Sequence, residues 1–257
     1  MKAPLVSILT PSYNSEKFIA ATILSVQNQT YQNWEMIVVD DCSVDKTVAI
    51  VKEIAKKDTR IQLLILEKNS GTGIARQTAL TKSSGRYIAF LDADDLWKPE
   101  KLELQINFLN KNNVPFAFSF YDCIDEDGKS LNKRVEAPRN LSYIQLFFCN
   151  YVGNLTGIYD TLTFGKIPVS TIRKRQDWML WLTILKKTRT VQPLPESLAF
   201  YRVRKDSLSA SKLDLLQHNF AVYRMFHKYN WMQSVLCMVG FLFTQLLIKP
   251  WYIKKLK

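Results

Sequence analysis

One feature of this 257-residue chain constrains its fold more than any other: strand and helix signals alternate strictly through the first 122 residues. Leu5–Leu9, Met36–Val39, Ile61–Leu66 and 86–91 are apolar runs too short for helices and almost without polar alternation. Between them, residues 15–28, 46–57, 74–83 and 98–111 have helical spacing. In 46–57, Val48, Ile50, Val51, Ile54 and Ala55 lie opposite Lys52, Glu53, Lys56 and Lys57. Pro99 sits near the first turn of 98–111, and 115–121 reads as a fifth strand. Continuous apolar strands are buried on both faces, and interleaved helices supply the cover. The pattern therefore predicts an α/β fold around a mostly parallel sheet.

Such a sheet gathers ligands at the carboxyl ends of its strands. Three polar clusters fall just there: Pro11-Ser12-Tyr13-Asn14, Asp40-Asp41, and Asp92-Ala93-Asp94-Asp95. Each alone fits a turn or a helix cap. Their coincidence on one edge favours a site. Three carboxylates within four residues are hard oxygen ligands suited to Mg2+ or Mn2+. Such ions keep open positions that diphosphate oxygens can fill, which is what an enzyme expelling a nucleoside diphosphate needs.

Composition sets the remaining bounds. Apolar content of 47% with 23% charged residues supports a sizeable core and excludes wholesale disorder. Cysteines 42, 123, 149 and 237 lack metal or redox spacing, which points to reduced thiols in a cytosolic compartment. The stretch MKAPLVSILTPSYN has no signal-peptide core. The net charge of +12 is concentrated: residues 1–165 hold 18 Lys+Arg against 19 Asp+Glu, and 166–257 hold 17 against 4. That excess could face nucleic acid, an anionic membrane surface or a phosphorylated substrate. Farther along, 125–129 reads as a hairpin turn, 177–187 as a very apolar helix, 198–203 as a strand, and 212–229 as a helix ended by Asn230. Residues 234–248 are nearly all apolar, yet short of the roughly 20 residues that span a bilayer. Trp231, Trp251 and Tyr252 flank them, with lysines beyond, as a membrane interface would require. A span, a core helix and a dimer contact stay open. His218 and His227, nine apart, read as helix-surface residues.

Five motifs occur in order: SILTPSYN (7–14), VVDDCS (38–43), NSGTGIARQ (69–77), FLDADD (90–95) and RQDWMLWL (175–182). With them the chain, from about Val6 to Lys212, resembles the inverting family 2 glycosyltransferases of the GT-A fold. The stretch NYVGNLTGIYD followed by RKRQD is similar to bacterial cell-surface polysaccharide transferases of the teichuronic-acid type.

The resemblance implies a metal-dependent enzyme that uses a UDP-sugar, with a lipid-linked glycan as acceptor, Mn2+ or Mg2+ as cofactor, and a place on the cytoplasmic face of a bacterial inner membrane. Of the partners that the basic excess could face, it implies the anionic membrane surface and the phosphorylated substrate, and no nucleic acid. It implies a GT-A domain over 1–211, with a nucleotide-sugar half (1–122) and an acceptor half (123–211), and a basic helical extension over 212–257 that associates with membrane. Tyr13 and Pro11 would line the uracil slot. Asp41 would accept the pyrimidine N–H, with Asp40 shaping the pocket or holding ribose. Asn69, with Gly71 and Gly73, would bring backbone close to the nucleotide, and Arg76 would reach the base or diphosphate. Asp92, Ala93 and Asp94 would contact donor and metal, with Asp94 and Asp95 both open as principal ligand. Arg202 and Arg204, followed by Ser207-Leu208-Ser209, would close over the diphosphate. Asp177 would take the acceptor proton. Gln176 stands where the family word has Glu. The acceptor pocket would lie near 151–160. Two other readings are a sugar nucleotidyltransferase and a noncatalytic membrane adaptor. The first needs a Gly-rich basic loop after the first strand, which Thr10–Glu16 does not supply.

Overall fold

The computed structural model describes residues 3–170, 172, 174–204 and 212–256, with the side chains of 212–215 left aside. Ser207-Leu208-Ser209 lie outside the described residues. The first half runs β1 (Val6–Ser12), α1 (Ile19–Gln27), β2 (Trp34–Asp40), α2 (Thr47–Ala55), β3 (Ile61–Ile65), α3 (Thr72–Lys82), β4 (Tyr87–Phe90), β5 (Leu96–Trp97) and α4 (Lys101–Asn112). There follow β6 (Phe116–Ala117), β7 (Ser119–Ile124), β8 (Ser130–Val135), β9 (Leu141–Ser142), α5 (Tyr143–Phe148), β10 (Ile158–Asp160) and α6 (Thr161–Phe164). Last come α7 (Gln176–Thr188), β11 (Thr190–Val191), β12 (Leu194–Arg202), α8 (Lys212–Ala221), α9 (Trp231–Phe243) and β13 (Ile253–Lys255).

The main sheet has the order β3-β2-β1-β4-β10-β6. Its first four strands are parallel, and β10 runs antiparallel to both neighbours. Pairing explains the unbroken apolar runs. Leu9, Ile37, Val39, Ile88 and Phe90 face one core with Ala75 and Ala79 of α3 and Trp178 and Trp181 of α7. Val6, Ile8, Met36, Val38, Tyr87 and Ala89 face the other, against Ile19 and Ile23 of α1 and Leu102 and Ile106 of α4. The strand period of two thus feeds two cores.

Register places the polar ends together. Ser12 pairs with Asp40, and the Leu91 N–H donates to the Leu9 carbonyl, so Asp92 emerges beside the end of β1. The fifth strand expected over 115–121 is divided. Residues 116–117 join the main sheet, while Ser119–Ile124 passes into a second sheet of order β13-β8-β7-β12-β5. Buried Phe118, stacked on Phe116 at 5.9 Å, sits at the crossing.

Helix α7 is apolar all round over Trp178–Leu182 because that stretch is buried all round. Trp181 meets Phe90 and Phe116 with ring centroids 5.6 and 5.2 Å away. Aromatic side chains bury about 150–250 Å2 each, on the order of 4–6 kcal/mol of gross stabilisation at ~25 cal/mol/Å2. Gly157 makes room: a Cβ there would fall 2.4 Å from the Trp181 ring.

Two expectations about the C-terminal region are corrected. Asn230 does not end the helix before it. That helix closes through a wide turn, Val222–Phe226, and Asn230 caps α9 in a capping box with Gln233. His227 is half-buried rather than free on a helix surface. It lies among Phe147, Phe226 and Tyr229, with ring centroids 4.8, 4.9 and 5.6 Å away. Burial, then Lys186, pulls its pKa down to about 4, so it is neutral. The extension also ends in a strand: β13 pairs antiparallel with β8.

Candidate active site

The loops leaving β1, β2 and β4 carry three of the five motifs. Pro11 is buried at the end of β1, and Tyr13 stands half exposed beyond it. The turn that presents Tyr13 is tied down by Asn14, which adopts a left-handed φ of 45°. The Asn14 N–H donates to Ser43 Oγ (2.9 Å), and its side-chain oxygen accepts the Val44 N–H (3.0 Å). Asp40 is fully buried and accepts from the Ser43 N–H (2.8 Å) and Ser43 Oγ (2.5 Å), so it shapes the turn after β2. Asp41 accepts the N–H groups of Ser70 (2.6 Å) and Gly71 (2.8 Å), one on each oxygen. It fastens the Asn69–Gly73 loop to the end of β2, and Asn69 stays exposed on that loop.

Gly73 permits the next contact. A Cβ there would lie 2.7 Å from Gln176 Nε2 and 2.8 Å from the Ser170 carbonyl oxygen. Helix α3 therefore meets the segment leading into α7 at close range, and Arg76 bridges the two. Its Nη1 donates to Gln176 Oε1 (2.7 Å), and its Nη2 ion-pairs with Asp92. Gln176 is buried and also donates to the Ile172 carbonyl (2.7 Å). The neutral residue standing where the family word has Glu is thus a structural clasp on Arg76.

The acidic run divides by direction. Asp92 accepts from Arg76 and from Asn154 Nδ2 (3.2 Å). Asp94 ion-pairs with Arg204 Nη1 at 2.9 Å. Burial, then the Asp92 charge, pushes its carboxyl up, while Arg204 pulls it back. Ala93 is buried, and its carbonyl accepts Thr22 Oγ (3.0 Å). Asp95 turns inward: it is 2% exposed, accepts the Arg202 N–H (2.8 Å), and is held well above the usual carboxylate range by burial, then by Asp94 and Asp92. Arg202 is equally committed to the fold. Its guanidinium donates to the carbonyls of Asp94 (2.8 Å), Asp125 (3.0 Å) and Glu126 (2.9 Å). Arg202 and Arg204 do lie on one side, both over the Phe18 ring.

Asp177 sits in the first turn of α7, next to Arg175, which holds a left-handed φ of 67°. Its Oδ2 accepts from Asn150 Nδ2 at 2.9 Å. The loop from Asn150 to Thr156 therefore touches both acids, Asp177 through Asn150 and Asp92 through Asn154. Tyr121 lies within the field of both ends: burial pushes its hydroxyl up, and Cys123, Tyr201, Asp95 and Asp177 add to the shift. Gly153 passes that ring closely enough that a Cβ would fall 2.8 Å from it. Within the stretch NYVGNLTGIYD, the sequence marks Asn150 and Asn154 only as two amides four apart, flanking a glycine among apolar residues.

Hard oxygen donors fit a divalent cation, and Asp92 with Asp94 supplies two of them. Among the described residues no group of three His, Cys, Asp or Glu gathers to hold a metal. A cation here would draw its remaining ligands from a diphosphate and water, as Mg2+ sites commonly do.

Comparison with known proteins gives the family and the fold. The family model "Glycosyl transferase family 2" matches residues 7–168. TuaG of Bacillus subtilis (strain 168), a glycosyltransferase assigned to teichuronic acid biosynthesis, is 41% identical over 238 residues, 93% of this chain and 94% of that protein. WfgD of Escherichia coli, a UDP-Glc:alpha-D-GlcNAc-diphosphoundecaprenol beta-1,3-glucosyltransferase, is 39% identical over 219 residues, 85% of each chain. Among solved structures, S. aureus TarS 1-349 in complex with UDP-GlcNAc superposes with a TM-score of 0.69 at 19% identity, covering 95% of this chain and 73% of that one. The mannosyltransferase PcManGT from Pyrobaculum calidifontis, in complex with GDP-Man and Mn2+, superposes at 0.63 and 17% identity, over 98% and 72%. The fold is the GT-A fold of these enzymes, and the chain belongs to glycosyl transferase family 2.

Proposed function

We propose that the chain transfers a sugar, with inversion, from a UDP-sugar to a hydroxyl of a lipid-linked glycan during cell-surface polysaccharide synthesis at the cytoplasmic face of the membrane. The observation that carries this reading is the Asn150–Thr156 loop, which hydrogen-bonds the donor-side acid Asp92 and the acid of α7, Asp177. A displacement with inversion needs the leaving group and the proton acceptor on opposite sides of one sugar. A loop that measures the separation of the two acids supplies that frame. The names of the relatives support the donor and acceptor classes.

In this reading Tyr13 stacks on the uracil above Pro11, and Asp41 accepts the pyrimidine N–H with lone pairs that the Ser70 and Gly71 amides leave free. Arg76 reaches toward the diphosphate: its Nε is buried and has no partner among the described residues, as have Thr10 Oγ and Ser12 Oγ. Buried polar groups are normally bonded, so these atoms suit a polar ligand. Asp94 and Asp92 would hold Mn2+ or Mg2+, which would neutralise charge on the departing diphosphate. Arg204 exchanges its ion pair with Asp94 for diphosphate oxygens. Asp95 and Arg202 lock β12 to the end of the acidic run and so hold Arg204 in place. Asp177 removes the acceptor proton as the hydroxyl attacks.

Titration calorimetry with UDP tests the donor assignment. UDP should bind, and more tightly with Mn2+ than with EDTA. A chain that gives no heat of UDP binding in either buffer would remove this reading. Asn150 tests the frame. With Asn150→Ala, Asp177 loses a hydrogen bond of the charged kind, and kcat should fall about 10–100-fold with the donor KM unchanged. Equal losses in kcat and donor affinity, or a lowered melting temperature with normal kcat, would make Asn150 a merely structural residue.

A further inference from the structure

The helix begun by α9 continues to Tyr252, giving 22 residues, within which an 18-residue stretch has a mean hydropathy of 1.7. Its inner face is the more polar one and is buried: Ser234 and Thr244 lie inside with Phe241. Gly240 rests on Phe148 of α5, close enough that a Cβ would fall 2.5 Å from that ring. Its outer face is apolar and bare. Met232, Leu236, Val239, Phe243, Leu247 and Trp251, spaced three or four apart, form one stripe of exposed side chains. Soluble surfaces rarely carry a contiguous stripe of this kind.

Length alone would permit a span, but the contacts argue for a helix lying flat. The inner face is seated on the domain, and the chain returns directly into β13, which hydrogen-bonds to β8. A helix held along its side cannot cross a bilayer without tearing off that sheet edge. It can lie in the interfacial plane.

Both ends of the stripe are cationic. Beside its start is a cavity of about 550 Å3 lined by Tyr143, Thr183, Lys186, His227 and Lys228, among others. His227, held neutral, adds no charge there. Beyond its end, Lys254 and Lys255 are exposed on β13, and Lys255 lies opposite exposed Lys133 on β8. Like charges directly across a strand pair repel, and an anionic surface relieves that repulsion.

We infer that α9 and β13 dock the enzyme flat on an anionic phospholipid bilayer, the apolar stripe sunk between headgroups and the flanking lysines on their phosphates. The use of such docking rests on the lipid-linked acceptor proposed above, but its evidence is the surface itself. The geometry also brings chemistry to the membrane. Lys249, in the last turn of the helix, donates to the Asn150 carbonyl (3.0 Å), and the Asn150 side chain donates to Asp177 (2.9 Å). One residue separates the membrane-bound helix from the proposed base. An acceptor hydroxyl held close above the headgroups would meet it there.

Flotation of the full chain with vesicles tests this. Binding is expected to phosphatidylglycerol–phosphatidylcholine vesicles and to be much weaker to phosphatidylcholine alone. Brominated lipid should quench Trp231 and Trp251, the exposed tryptophans, and alkaline carbonate should release the protein. Leu236→Glu with Phe243→Glu should lower vesicle affinity at least about tenfold, from the loss of two buried apolar side chains. Lys254→Ala and Lys255→Ala should each lower it about fivefold. UDP-sugar hydrolysis should be unchanged in all of these variants, which separates failure of docking from failure of the transferase reading. Equal binding to neutral vesicles, retention after carbonate, or a dimer that buries the stripe and prevents vesicle binding would overturn the inference.

Discussion

Asp177→Asn is expected to abolish sugar transfer, by about 10²–10⁴-fold, the usual contribution of a positioned general base. UDP affinity and the melting temperature should not change. The substitution is nearly isosteric, and the new side-chain oxygen can still accept the Asn150 hydrogen bond now made at 2.9 Å. What is lost is only a group able to carry away the acceptor proton. Donor hydrolysis by water needs less help from such a base than attack by a sugar hydroxyl, so hydrolysis should fall less than transfer. Transfer at the native rate in Asp177→Asn would sink the assignment and leave Asp177 as a first-turn acid held by Asn150 and favoured by the helix dipole.

Asp94→Ala should lower metal-dependent donor turnover by about 10²–10³-fold, since a cation on a departing diphosphate is worth several kcal/mol. The advantage of Mn2+ over EDTA in UDP binding should vanish with it. Asp95→Asn is the informative partner experiment. Asp95 is buried, its carboxyl pushed well above the usual range, and it accepts the Arg202 N–H. An amide reproduces that arrangement, so turnover should stay near native. If Asp95→Asn were the dead variant and Asp94→Ala the active one, the metal assignment would pass to Asp95 and the inward orientation would have to change on donor binding.

The sheet was legible because it is parallel and doubly covered. Leu5–Leu9, Met36–Val39 and Ile61–Leu66 carry no polar alternation, and each observed strand lies within a few residues of its apolar run. The ends of those strands announced themselves through Asp40, Asp41 and the acidic run. The roles of side chains within the clusters were less legible, since direction is a tertiary property. Asp94 and Asp95 are adjacent and chemically identical, and only the arrival of Arg202 from β12 turns one inward. Arg204 lies two residues beyond the end of β12 yet shares a side with Arg202 over Phe18, and three backbone carbonyls engage Arg202 and leave Arg204 with Asp94. Asn150 and Asn154 gain meaning only when their loop closes over two acids far apart in sequence. The split of 115–121 at Phe118 was hidden because both halves are equally apolar.

The pairing of β13 with β8 has a consequence for how the molecule is made. Strand β8 receives one neighbour from β7 almost at once, through a tight hairpin. Its other edge waits until residues 253–255 have been synthesised. Throughout that interval Ser130–Val135 presents unpaired N–H and C=O groups to the cell, and the segment that will cover them follows directly on the most apolar helix of the chain. Closing so long a loop is entropically slow. A nascent helix already resting on lipid would hold β13 near its partner and shorten the search. Trimming the chain before Trp231 would therefore do more than free it from vesicles. It would leave a permanently open sheet edge, and the shortened protein should associate through that edge.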